Sequence, residues 1–168
     1  MLGKRIMIIG SPGSGKSTLA LKLRDITGLP VIHLDREFWK AGWVETPREE
    51  WKEKQKKLLE GKEWIADGNY GGSIEIRLGL ADTVIFLDYG RTLCLFRVLK
   101  RCALHLGRTR PDMAPGCKEK IDIAFLKYVW GFAVGPRVRI MDKLAKCKGM
   151  KKIILRSPQE TQAFLSSL

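Results

Sequence analysis

Gly10-Ser11-Pro12-Gly13-Ser14-Gly15-Lys16-Ser17-Thr18 decides how this chain is read. Its spacing is G-x-x-x-x-G-K-S. The glycines open backbone angles closed to residues with a Cβ, so successive N–H groups can curl around an anion. Lys16 adds a mobile cation, and the Ser17 hydroxyl suits a hard divalent metal. This is the spacing of a phosphate-binding loop, the Walker A motif. In that motif Gly10 to Thr18 would cradle the phosphates of ATP.

The flanks agree with the motif. Arg5-Ile6-Met7-Ile8-Ile9 is a short apolar run, as a buried parallel strand requires. Leu19, Leu23 and Ile26 recur at helical spacing, and Gly28 followed by Pro30 closes that helix. A helix starting at the loop points its positive end at the bound phosphates.

Outward from this unit, the chain has 168 residues and 45% hydrophobic residues, which suits a single domain spanning 1–168. Its formal net charge of +13 implies a polyanionic partner: a nucleotide, a phosphorylated metabolite, nucleic acid or an anionic surface. Cys94, Cys102, Cys117 and Cys147 form no C-x-x-C pair, which argues against zinc or a disulfide framework and for a reducing cytoplasm. No apolar run is long enough to span a bilayer.

Pro30-Val31-Ile32-His33-Leu34 predicts a second strand ending at Asp35-Arg36-Glu37. Ligands of open α/β sheets bind at the carboxyl ends of strands, so Asp35 and Arg36 fall on the functional edge. His33, inside the strand, reads as a core residue. Phe38, Trp39 and Trp43 follow in a loop around Gly42, placed either to pack a substrate lobe or to stack on a base. Thr46-Pro47-Arg48-Glu49 reads as a capping box opening a helix through Trp51, Leu58 and Leu59. Trp64-Ile65-Ala66 predicts a third strand, ending at Asp67-Gly68-Asn69-Tyr70. An acid at the end of an apolar strand, downstream of Walker A, is the Walker B arrangement. Ser17 and Asp67 are therefore the candidate Mg²⁺ ligands.

Thr83 to Asp88 predicts a fourth strand. In the helix after it, Arg97, Arg101, His105 and Arg108 fall at i, i+4, i+8 and i+11, on one face. No acid interrupts the stretch from Arg91 to Arg110. A row of cations suits the charge that develops in phosphoryl transfer. Gly107 to Gly116 is rich in turn residues and arginine, which predicts a water-excluding lid over about residues 105–118. Helices are expected over Lys118 to about Ala133 and Arg137 to about Lys148. A fifth strand at Lys152–Arg156 follows, then a last helix after Ser157-Pro158.

Five strands separated by helices imply a parallel α/β sheet with right-handed crossovers. Together with the Walker A loop and the arginine row, this plan resembles the adenylate-kinase-like family of nucleoside and small-metabolite kinases. It is most similar to the subset labelled DNA topology modulation proteins. The residues that carry the likeness are Gly10 to Thr18, His33-Leu34-Asp35 with Trp39 and Trp43, Asp67-Gly68-Asn69-Tyr70, Leu87-Asp88, Arg97 with Arg101, and Gly116-Cys117. The resemblance implies a P-loop NTPase three-layer sandwich with a five-stranded sheet in the order 2-3-1-4-5. It implies that one of Arg97 and Arg101 packs on adenine while the other touches phosphates, and that the Ser157-Pro158 loop lines the adenine pocket. In adenylate kinases an arginine that grips the acceptor phosphate follows the Asp-Gly pair. Here Gly71 holds that position, and the nearest arginine is Arg77. Asp35 sits where shikimate-kinase-like enzymes place an acid, which points to a hydroxyl acceptor.

The reading favoured is an ATP- and Mg²⁺-dependent kinase acting on a nucleotide, nucleoside or small hydroxyl metabolite. Lys16, Arg97, Arg101 and a lid arginine, Arg108 or Arg110, would stabilise the transferring phosphoryl group. Asp35 would serve either as general base for a hydroxyl acceptor or as an outer support for the magnesium, the other reading being an ordinary loop acid. The acceptor would lie among Asp35, Arg36, Trp39, Asn69, Tyr70 and Arg77. The alternative is an ATP-binding, nucleic-acid-associated regulator, resting on the net charge and on Arg137, Arg139, Lys143, Lys146, Lys148, Lys151 and Lys152. No known nucleic-acid-binding module is visible for it. A degenerate NTPase switch is a third option.

Overall fold

Ile6, Met7, Ile8 and Ile9 have no solvent exposure at all. That is why the first strand reads as an unbroken apolar run: helices cover both of its faces. The computed structural model describes residues 2–168. In chain order its first elements are β1 (Arg5–Gly10), α1 (Lys16–Thr27), β2 (Val31–His33), α2 (Leu34–Phe38), β3 (Trp39–Lys40), β4 (Val44–Glu45) and α3 (Arg48–Leu58). The rest are β5 (Trp64–Asp67), α4 (Ile74–Leu80), β6 (Thr83–Leu87), α5 (Arg91–His105), α6 (Ile123–Gly131), α7 (Pro136–Lys146), β7 (Lys151–Leu155) and α8 (Pro158–Ser166).

The main sheet is parallel in the order β2-β5-β1-β6-β7. Counting its own strands alone, this is the expected 2-3-1-4-5. Alternate residues of β1 feed two cores. Ile6 and Ile8 pack with Leu19, Leu23, Val98 and Val129 on one face. Met7 and Ile9 pack with Trp64, Ile74, Phe132, Ile140 and Leu144 on the other. Each buried isoleucine contributes on the order of 2 kcal/mol. Three layers follow, with the loop and the strand ends at one edge.

Several local expectations are corrected. The second strand stops at His33, and residues 34–38 form a helical turn. The tryptophan loop is a two-stranded antiparallel hairpin, β3 with β4. The capping box does not form: the Thr46 hydroxyl donates to the Phe38 carbonyl, tying the hairpin's return strand to α2, and α3 begins with no side-chain cap. The helix expected from Lys118 starts at Ile123, where the Asp122 side chain accepts from the Phe125 N–H.

The connection from α5 to α6 is folded down on the hairpin. Backbone bridges join Leu106 with Glu119 and Thr109 with Lys118. Met113, Ala114 and Cys117 are buried and pack against Trp39 and Trp43. The Trp43 indole N–H donates to the Lys118 carbonyl at 2.7 Å, and the Gly42 N–H donates to the Gly116 carbonyl at 3.2 Å.

Candidate functional site

The loop between β1 and α1 is built to hold its shape. Gly13 has φ +80°, and a Cβ there would lie 2.3 Å from the Cys94 carbonyl oxygen. The loop therefore rests directly on the backbone of α5. The N–H of Gly10 donates to Asn69 Oδ1 at 3.0 Å, and Asn69 Nδ2 donates back to the Gly10 carbonyl at 2.7 Å. Lys16 Nζ bonds the carbonyls of Gly10 and Ser11, both at 3.1 Å. Burial lowers the Lys16 ammonium from its ordinary value, while Asp67 and Asp35 act in the opposite sense. The Ser11 and Ser14 hydroxyls are buried without a hydrogen-bond partner. Orphaned hydroxyls beside a lysine and a helix start fit an incoming phosphate.

Strand register supplies the acids. In the parallel pairing of β2 with β5, His33 lies opposite Asp67. His33 Nδ1 and Asp67 Oδ2 are 2.8 Å apart, with Asp67 only 5% exposed. That bond is the main cause raising the imidazole above its usual range. His33 is thus a largely buried residue whose hydrogen bond is satisfied by Asp67, the candidate metal carboxylate. Among the described residues there is no cluster of three or more His, Cys, Asp or Glu that could hold a metal. Ser17 and Asp67 remain the candidate ligands for Mg²⁺, a metal that keeps several waters and substrate oxygens and needs few protein ligands.

Asp35, on α2, is surface-exposed and accepts a 2.6 Å bond from the Tyr70 hydroxyl. Crowding by protein raises its carboxyl above the ordinary value. The Tyr70 bond opposes that shift, Asp67 adds to it, and Lys16 and Arg110 oppose it. Burial and Asp35 likewise push the Tyr70 phenol upward. Arg36, also on α2, is exposed.

The arginines divide into three groups. Arg97 reaches the loop, with Nη1 3.4 Å from the Ser14 carbonyl and its guanidinium over the Tyr89 ring at 5.7 Å. Arg101 and Arg110 converge on Glu119, which is 5% exposed: Arg101 Nη2 lies 3.4 Å and Arg110 Nε 2.6 Å from its carboxylate. Arg110 also pairs with Asp112 at 2.8 Å. Arg108 lies past the end of α5 and is exposed, so the shared helical face ends at His105. Two arginines of the acid-free stretch, Arg101 and Arg110, are neutralised because Glu119 folds back over them. That acid lay just beyond the run, where only the turn at Gly107–Gly116 hinted at a return.

Three of the expected acceptor residues are engaged in contacts within the protein. Arg77 has no exposure, and its guanidinium donates to the carbonyls of Gly68, Asn69 and Tyr70. Burial pushes that guanidinium down to about 10. Asn69 spends both ends of its amide on Gly10. Trp39 packs between Phe38 and Trp43 under the α5–α6 connection. Ser157 caps α8, its hydroxyl accepting from the Glu160 N–H at 3.1 Å. The structure adds a further pair, Arg137 with Asp88, bonded twice at 2.6 and 2.7 Å beside Ser11.

No protein-family model matches this chain, and no curated protein matches it in sequence. Solved structures do match it in shape. An inferred kinase from Chloroflexus aurantiacus J-10-fl superposes with TM-score 0.59 at 16% identity, over 99% of this chain and 97% of that one. A sugar kinase from Janibacter sp. HTCC2649 gives TM-score 0.52 at 16% identity, over 98% and 93%. The chain has the P-loop kinase fold. At this identity the likeness speaks for the fold alone. Among the described residues no helix is long and apolar enough to cross a membrane.

Proposed function

We propose that this protein is an ATP- and Mg²⁺-dependent phosphotransferase whose acceptor is a hydroxyl group on a small molecule, a nucleoside or a sugar-like metabolite. One observation carries the choice of acceptor. The exposed Asp35 carboxylate lies close enough for its charge to act on Lys16, while Arg77, the nearest arginine in sequence for an acceptor phosphate, is buried on backbone carbonyls. A hydroxyl needs a base to take its proton; a phosphate acceptor is already anionic.

In this reading the loop N–H groups and Lys16 hold the β- and γ-phosphates. Mg²⁺, held by Ser17 and Asp67 when bound, neutralises phosphate charge. The Asp35 carboxylate removes the acceptor proton as the acceptor oxygen bonds to the γ-phosphorus. The bond from that phosphorus to the β–γ bridging oxygen breaks, and ADP leaves with the electron pair. Arg97 stands beside the loop to stabilise the transferring group. Arg101 and Arg110 join it by exchanging Glu119 for phosphate oxygens. The connection over residues 106–122 acts as the lid. Arg97→Ala and Arg101→Ala each lower turnover by about 10³-fold or more if these assignments hold.

The test is coupled ADP release from MgATP with adenosine, AMP and D-glucose as representative acceptors, then wider sets of each class. Turnover with nucleosides or sugars, abolished in Lys16→Ala and Asp35→Asn, is the expected result. Efficient turnover with a monophosphate, undiminished in Asp35→Asn, would overturn the hydroxyl acceptor. The regulator reading keeps the overall charge, yet two of its bases are occupied: Arg137 by Asp88, and Lys143 by Glu75 at 2.5 Å.

A further inference from the structure

Asp35 is exposed on a five-residue helical turn, so its carboxylate needs a partner to aim it. The only hydrogen bond to it among the described residues is the 2.6 Å bond from Tyr70 to Oδ1. Tyr70 is held far more firmly than a surface tyrosine. Its φ of +39° is a conformation that bulky residues rarely adopt. Three contacts impose it. The ring packs on Phe38 at 4.7 Å and on Trp51 at 5.0 Å. The buried Arg77 gathers the carbonyls of residues 68, 69 and 70. Ser73 donates to the Tyr70 carbonyl from its N–H at 3.0 Å and is itself held by Gln55 at 2.5 Å. Strain sustained by this much surrounding structure is a mark of functional placement.

We propose that Tyr70 is the positioning residue for Asp35: it pins one carboxylate oxygen so that the other faces the acceptor hydroxyl. This rests on the reading of Asp35 as general base. The bond also favours the ionised carboxylate, the form a base requires. The charged and titratable groups facing Asp35 are Lys16 from α1, Asp67 from β5, Arg110 from the 106–122 connection and Tyr70 itself. His33, Arg77 and Tyr128 also feel its charge.

The test compares wild type, Tyr70→Phe, Tyr70→Leu and Asp35→Asn. Asp35 is followed by carboxyl-¹³C NMR titration, with Asp35→Asn assigning the resonance. Turnover is followed as MgATP hydrolysis, water serving as the probe acceptor. Tyr70→Phe keeps the ring and removes only the hydroxyl. It is expected to titrate Asp35 about one pH unit higher. Hydrolysis should fall roughly tenfold with KM for ATP unchanged. A tyrosine that merely packs would leave Tyr70→Phe like wild type in both readouts and harm only Tyr70→Leu, which overturns the proposal. If Asp35→Asn hydrolyses ATP at the wild-type rate, the base assignment itself falls, and Tyr70 has nothing to position. If Asp35→Asn is inactive while Asp35 titrates identically in Tyr70→Phe and wild type, the base stands and the tyrosine's part alone is overturned.

Discussion

Gly13 shows how little freedom the phosphate loop has at the level of single residues. Its left-handed backbone, and a Cβ position 2.3 Å from the Cys94 carbonyl, make any side chain there a collision with backbone rather than with a movable group. Gly13→Ala should therefore cost about 3 kcal/mol or more, a fall of roughly 6–12 °C in Tm for a chain of this size. Gly71, with nothing within 4 Å of its Cβ position, is the matched control, and Gly71→Ala should stay within about 0.5 kcal/mol. Thermal melts of the two variants side by side check this. Equal losses would mean that the loop does not rest on α5 as described. The motif was legible because spacing alone encodes it. Arg77 and Asn69 were not, for a physical reason. Arginines are almost never fully buried, so the default places one at the surface facing a ligand. A short polar Asn after a strand carries no mark of which backbone it will bond. The His33–Asp67 pair needed the register of β2 against β5, and register is set by packing rather than by either strand alone.

Elements carry the next level of control, and here the connection between α5 and α6 matters most. Sequence showed a flexible, arginine-rich cover; the structure shows it docked, with Glu119 bridging Arg101 and Arg110 and with the β3–β4 hairpin beneath it. The hairpin was illegible because two-residue strands have no periodicity, and a five-residue helix is too short to show one. The five main strands were legible because each is an apolar run covered on both faces. In the proposed mechanism Glu119 competes with phosphate for the two guanidinium groups it pairs with. Glu119→Gln removes that competition and also leaves the partly buried Arg101 without its acid and Arg110 with Asp112 alone. The expected result has opposite signs in two measurements. By isothermal calorimetry MgATP should bind about fivefold more tightly. The unliganded protein should lose about 3 kcal/mol, seen as a lower Tm. Weaker nucleotide binding in Glu119→Gln would mean that the carboxylate supports the site instead of occupying it.

At the scale of the whole molecule the outstanding quantity is the net charge of +13. Part of it is engaged within the protein: Lys16 and Arg97 bond carbonyls of the β1–α1 loop, Arg101 and Arg110 pair with Glu119, and Arg137 and Lys143 are paired with acids. What remains is spread over surface lysines on several helices, many beside glutamates, as in the Lys52–Glu49 and Lys56–Glu53 pairs of α3. Such a distribution gives long-range attraction to any polyanion, but the row that α7 offers, Arg139, Lys143 and Lys146 on one helical face, is short and has Lys143 paired with Glu75. Screening shortens its reach to about 8 Å at physiological ionic strength. Binding to a random-sequence DNA duplex should therefore be measurable at low salt and gone by about 0.15 M, as read by fluorescence anisotropy across a salt series. Lys16→Ala should not alter that curve, because the lysine faces the loop carbonyls and not the outer surface. The same variant should lose the rise in Tm that saturating MgATP gives the wild type, about 2.7 kcal/mol of stabilisation at a hundredfold excess over Kd. DNA affinity persisting above 0.15 M, or falling with Lys16→Ala, would place nucleic acid at the phosphate loop itself and return the regulator reading to the front.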